Sequence, residues 1–341
     1  MNYRLTVFFI SLIISVLLAA CGASLPANCP PECIGESLFG KDLSGINLSD
    51  AQLMGANLNK AALVETDLTG ANLSSANLAD AKLESAILDQ AIMVGADLTA
   101  ANLRNTKMNE TDLRGANLRG ASLVRVDLTT AKMNGISFIK AELIGSNLEG
   151  VNLRGVQIFE AELSGANLEN AELSGSAMSG STLDGANLQG ANLSGAWLNL
   201  STFVGSEMAD SNLSGSTLFA ADLTGANLNG ANLNGAGLIG ANLSGVDLRG
   251  ADLSGAEFIL PIPKDADPDF TYQDLTGDEL FRSLLSQPSL AKVANDPADT
   301  NLNETQLKPL LKDAILQGVL YNDETIWPLG FEIPPAAIYQ P

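Results

Sequence analysis

The residues of this chain best equipped to do chemistry are its three cysteines, Cys21, Cys29 and Cys33. Cys29 and Cys33 are separated only by Pro30-Pro31-Glu32. Outside the cytoplasm, an isolated pair of this kind more often forms a disulfide than a metal site. Two thiols are too few for a structural zinc, and the chain has no His to complete a ligand set. Without His there is also no Ser-His-Asp or Cys-His arrangement. Asp265-Ala266-Asp267-Pro268-Asp269 offers carboxylates for calcium but lacks the glycine and closing Glu of an EF-hand loop, and it reads as a solvated acidic linker. Glu160 with Glu162, or Asp247 with Asp252, could form acid–base pairs. They are chance neighbours among 25 carboxylates between residues 34 and 258. No phosphate-cradling Gly motif is present. The expectation is a non-enzyme with no cofactor and no metal.

The elements that must position these residues follow one rule. From Ile34 to Phe258 a five-residue register runs without insertion or deletion, centred on Leu38, Leu43, Leu48 and every fifth residue to Phe258. Of its 45 centres 36 are Leu, and the residue two before the centre is Ala in 27 cases. Five residues advance an α-helix by about 500°, so the Leu would circle its axis. On a flat strand an odd period would alternate faces. The pattern works only if the chain turns a corner about once per repeat, with the small residue and the Leu facing inward. Gly at the second position after many centres, such as Gly45 and Gly55, suits such corners. Self-similarity at a fixed short period marks a solenoid.

Ala71-Asn72-Leu73-Ser74-Ser75, Ala186-Asn187-Leu188-Gln189-Gly190 and Ala226-Asn227-Leu228-Asn229-Gly230 resemble the A-[D/N]-L-x-x unit of pentapeptide repeat proteins. The resemblance implies an all-β solenoid, a right-handed quadrilateral parallel β-helix with four repeats per coil and about eleven coils. At about 4.8 Å between stacked strands the rod would be on the order of 50 Å long. Positions twenty apart should then stack, placing Asn147, Asn167 and Asn187 in one column and Asn192, Asn212 and Asn232 in another. Such columns could form amide ladders, or Asn could simply favour that repeat position.

Residues 1–20 read as a secretory signal, with Arg4 followed by the apolar run Leu5 to Leu18. Leu18-Ala19-Ala20-Cys21 resembles the lipobox of bacterial lipoproteins, which implies cleavage before Cys21 and lipidation of its thiol. More than one acyl chain anchors a protein stably. Residues 21–33 form a tether and N-terminal cap, with Cys33 in the Leu register. Residues 34–258 form the β-helix and 259–341 a capping extension.

In the extension, Thr276-Gly277-Asp278-Glu279 reads as a capping box. Leu280, Phe281, Leu284 and Leu285 give the following segment one apolar helical face, stopped by Pro288. Leu307 to Gly318 has helical spacing as well. Alternatively, Ala314-Ile315-Leu316-Gln317-Gly318 and Val319-Leu320-Tyr321 fit two further repeats in a new phase. The run Tyr321 to Phe331 resembles a closing motif that follows the last repeat in many pentapeptide proteins, which favours a return to the β-helix with 259–313 as an insertion.

The net charge is −21. Arg104, Lys107, Arg114, Arg119, Arg125, Lys132 and Lys140 interrupt the acidic trend and, threaded on four sides, spread as a belt. On the same threading three sides carry mainly polar outward residues. The fourth carries Phe39, Ile139, Phe159, Trp197, Leu200, Phe219 and Ile239 outward. Apolar patches of this extent mark interfaces, whether with a partner, a second copy or the chain's own tail.

These features point to a non-catalytic cell-envelope lipoprotein, exported and facing the periplasm or cell surface. Its partners would be the membrane, through lipidated Cys21, and an envelope protein or a second copy, through the apolar side. An acidic DNA-mimic rod that binds DNA gyrase, as some pentapeptide proteins are, is the alternative. The export signal argues against it, because gyrase is cytoplasmic, and no nucleic-acid partner is expected.

Overall fold

The computed structural model describes residues 25–26, 29–258, 315–317, 319–329 and 331–340. The signal segment, Cys21 and the first helical segment of the extension lie outside these residues. The chain forms two compact units, Met1–Leu148 and Glu149–Pro341.

Each five-residue step in both units has one construction. The centre and the residue two before it point inward, and the residue between them faces out and makes a parallel bridge to the residue twenty positions on. Gln52 thus bridges Asn72, and Asn72 bridges Ile92. Twenty residues per coil divided by five gives four sides. The ladder is carried by bonds such as Leu53 N–H to Asn72 C=O (2.8 Å) and Asn72 N–H to Ala51 C=O (2.9 Å). A four-residue turn, closed by Ala56 N–H to Leu53 C=O at 3.0 Å, makes the corner. The second residue after the centre takes a left-handed φ, 65° at Gly55 and 67° at Gly230. At Gly230 the lack of a side chain is required twice over, because a Cβ there would lie 2.5 Å from Asp210 Oδ1 of the preceding coil.

The outward Asn and Asp have a local cause. Asn47 Oδ1 accepts the Ser49 N–H (2.8 Å), and Asp97 Oδ1 accepts that of Thr99 (3.1 Å). This is an Asx bond that starts the corner, and it satisfies an N–H the ladder leaves free. Amide stacking is the lesser use: Asn187 Nδ2 donates to Asn167 Oδ1 (3.1 Å), and Asn212 to Asn192 (3.3 Å).

The core is a bundle of stacked columns. Leu38, Leu58, Leu78, Leu98 and Leu118 are all 0% exposed, with Ala56, Ala61 and Ala71 at 0% between the columns. Burying each Leu side chain is worth roughly 2 kcal/mol, and Ala at the second inward position keeps the four sides close. Where Ser or Thr replaces it, the hydroxyl mostly donates to a nearby carbonyl, although those of Ser176 and Ser211 are buried without a partner among the described residues. Thr66 reaches Leu43 C=O across a coil (2.8 Å), and Ser206 reaches Phe203 C=O (2.9 Å).

Each unit has one closed end. At the start of the first unit, Cys29 and Cys33 form a disulfide with their Cα atoms 4.7 Å apart. Cys33 is fully buried in the Leu register, and its N–H bonds to Gln52 C=O (2.8 Å). In the second unit the ladder reaches Glu257 and then continues with a different stretch of chain. Ile315 bridges Asn242, Leu320 bridges Asp247 and Ile326 bridges Asp252. Leu316 and Val319 are buried in the register (7% and 0%). A helix over 307–318 therefore cannot run to its expected end, because Ile315–Gln317 are spent on the ladder. β1 (Leu320–Tyr321) then pairs in parallel with β2 (Ile338–Tyr339). Phe258, Tyr321 and Trp327 cluster with Phe331 and Tyr339, the Trp327 and Phe331 rings being stacked 5.4 Å apart.

Candidate interaction surface

Among the described residues, the outward side chains are the ones the ladder leaves for function, and two kinds stand out among them. The first is charged. On the short strand of each repeat, the residues just before and just after the centre share the outer face. In Asp112-Leu113-Arg114 this sets a carboxylate beside a guanidinium. Arg114 Nε donates to Asp112 Oδ1 (2.8 Å) and Nη2 to Oδ2 (2.7 Å). Asp247-Leu248-Arg249 repeats the arrangement at 2.9 and 2.6 Å. The Arg114 bonds, with help from Lys132 one coil on, hold the Asp112 carboxyl below the usual carboxylate range against its partial burial. Sequence reading missed these pairs, although the spacing Asp-Leu-Arg was visible.

A depressed folded-state pKa adds stability that is fully present above the unfolded value, about 3.9, and is lost as pH falls through the lower folded value. Arg114→Gln is expected to raise the Asp112 pKa in an NMR carboxyl titration and to lower the neutral-pH unfolding midpoint, with the two proteins converging in acid. An unmoved Asp112 titration would show that the pair does not act.

The basic belt is partly spent on such contacts. Besides the Arg114 pair, Arg104 Nε donates to Ser122 Oγ (3.1 Å), and its guanidinium lies 3.7 Å from Glu142. Among the described residues no cluster of three or more Cys, Asp or Glu could hold a metal ion.

The second kind is apolar and lies on the fourth side. In the first unit Phe39 is 54% exposed and Ile139 half-buried. In the second unit Trp197 and Leu200 are half-buried, while Phe159 (5%), Phe219 (2%) and Ile239 (2%) are buried despite facing outward. These three are therefore not free surface.

The repeat pattern matches the family described as Pentapeptide repeats in eight overlapping stretches that span residues 40–158 and 161–255, more than half of the chain. The chain belongs to the pentapeptide repeat family. Among solved structures it is similar to HetL, a pentapeptide repeat protein involved in heterocyst differentiation regulation from the cyanobacterium Nostoc sp. strain PCC 7120. That likeness has 29% identity over 74% of this chain and 96% of the other, with a TM-score of 0.28. It is also similar to the pentapeptide repeat protein Rfr23 from the cyanobacterium Cyanothece 51142, with 25% identity over 55% and 90% of the two chains and a TM-score of 0.25. QnrB1, a plasmid-mediated fluoroquinolone resistance protein, matches at 18% identity over 67% and 91%, with a TM-score of 0.24. No curated protein matches. Membership in the family rests on the repeats themselves. In this pentapeptide repeat protein the stacked Leu, the Asx bonds and the corner glycines all serve the scaffold, so that variation is left to the outward positions.

Proposed function

We propose that this pentapeptide repeat protein is a non-catalytic envelope lipoprotein, a right-handed β-helix tethered through lipidated Cys21 and presenting its outward side chains to an envelope partner or a second copy. The observation that carries this reading is Leu18-Ala19-Ala20-Cys21 directly after an apolar run with Arg4 at its start. The Cys29–Cys33 disulfide supports an oxidising compartment. The inward described side chains fill the core, the Asx oxygens and glycines make the corners, and the outward side chains are what is left to meet a partner. Phe39 is the exposed member of the apolar side, and Ile139, Trp197 and Leu200 are half-buried and partly open to contact.

The test compares native protein with Cys21→Ala by cell fractionation and intact-mass spectrometry. Native protein is expected in the membrane fraction, cleaved before Cys21 and heavier by its acyl chains. The variant is expected to be released or to stay unprocessed. Full-length native protein free in the cytoplasm would overturn the reading.

A further inference from the structure

One side of the second unit breaks the rule that the rest of the ladder obeys. The residue just after the centre is half-buried or exposed on the other three sides between residues 151 and 258. On the fourth side, Phe159, Ser179, Asn199, Phe219 and Ile239 are all buried, Asn199 completely. The same column in the first unit, from Phe39 to Ile139, contains no buried residue. Stacking along the column therefore does not explain the burial, and something covers this face.

The residue types agree. Before the centre, where other sides carry the Asx oxygen, this side has Ala177, Trp197, Thr217 and Gly237 in succession. Ala177 (6%) and Thr217 (5%) are buried, and the Thr217 hydroxyl is sealed from solvent with no hydrogen-bond partner among the described residues. At the corner stands Leu200, with φ 60°, a conformation that strains an aliphatic side chain. A side that carries Phe, Trp, Ile and a strained Leu, and whose few polar residues Ser179, Asn199 and Thr217 are buried, is built to be covered by apolar contact.

We propose that residues 259–314 of the same chain occupy this face, with the stripe Leu280, Phe281, Leu284 and Leu285 as the part that meets it. Chain order places the occupant. Phe258 is the last centre on this side, and the chain re-enters the ladder at Ile315 against Asn242, on the next side. The intervening stretch thus begins and ends beside the face. Its length is ample, on the order of 180 Å if extended, for a path down the face and back. The column from Phe159 to Ile239 covers four coil spacings, about 19 Å. A helix from Asp278 to Ser286 would be about 14 Å long and fits within it. This inference stands apart from anchoring through Cys21.

The experiment is site-specific photo-crosslinking in the purified full-length protein, with a benzophenone amino acid in place of Phe219 and, separately, of Leu200. The expected result is a product of monomer mass whose mapped link joins the labelled position to a peptide within 259–314. Links only between two copies, or none to 259–314, would overturn the proposal. As a second measurement, residues 263–312 are replaced by a short Gly/Ser linker. A severalfold rise in fluorescence of an apolar-surface dye, with faster amide exchange confined to residues 177–239, supports the same occupant. Unchanged dye binding and exchange in a folded variant would count against it.

Discussion

Phe203→Ala is expected to destabilise the second unit by about 3–5 kcal/mol, the range for removing a large aromatic from a packed core. Phe203 sits at a centre and is 0% exposed. Its N–H bonds to Asp222 C=O (2.7 Å), and its C=O closes the corner through Ser206 N–H (3.1 Å). Truncation leaves the backbone ladder intact and empties a space that the neighbouring columns cannot collapse into, because their spacing is fixed by hydrogen bonds above and below. The second inward positions there are small, Ser201 and Ser206 at 0%, and the Leu183 and Leu223 side chains above and below are held at their own coil levels, so the void is only partly filled. In a solenoid the loss falls on the contacts between neighbouring coils. Urea unfolding followed by circular dichroism should show the lower midpoint, and hydrogen exchange should quicken first between Leu183 and Leu223. Phe203→Leu, which restores the majority residue of the register, should lose far less. A loss below about 1 kcal/mol for the Ala variant would mean that the inward column does not carry the stability.

Much of this architecture was legible in the chain because one inward pattern repeats without a slip. Leu at every fifth residue demands a corner in each repeat, whatever the tertiary setting. The number of sides was not in that pattern: the twenty-residue spacing of bridges such as Gln52 to Asn72 comes from the way the coils stack. The role of Asn and Asp was half visible. Their dominance at one position left amide ladders and a simple preference for that position both open, and the prevailing bond is local, from the Asx oxygen to an N–H two residues on, and needs no neighbouring coil. The return of Ile315 to the ladder was one of two readings of Ala314 to Tyr321, since a five-residue repeat and a helical stripe share Leu and Ile at similar spacing. A long-range bond decides it, from Ile315 N–H to Ala241 C=O at 2.9 Å. The apolar fourth side could be read by threading, but its burial could not, because burial depends on what lies against it.

Trp327→Ala is expected to cost roughly 3 kcal/mol, the low end of the range for a core aromatic because the side chain is only half-buried. Its effect should be concentrated at one end of the second unit. Trp327 takes the place of a Leu centre after the ladder resumes: Thr325 two before it is buried (9%), and Ile326 between them bridges Asp252. With no further coil to stack on, an aromatic closes the end where Leu would leave a gap. Its ring stacks on Phe331 at 5.4 Å and lies 5.9 Å from Tyr321 and 6.3 Å from Phe258. Each such aromatic pair contributes about 0.5–1.5 kcal/mol beyond the area it buries. Removing Trp327 should therefore leave Phe331 held by Phe258 (5.0 Å) without its stacked partner, loosen the β1–β2 pair through Tyr321 and Tyr339, and open the ladder at Asp252 and Asp247. Hydrogen exchange should reveal fast amides at Leu320, Ile326 and Ile338 while Leu183 and its neighbours stay protected. The exposed edge should also raise self-association, since an uncapped solenoid end presents unpaired strand groups. Uniform exchange throughout the second unit, or none beyond wild type, would show that the aromatic cluster is not what closes this end.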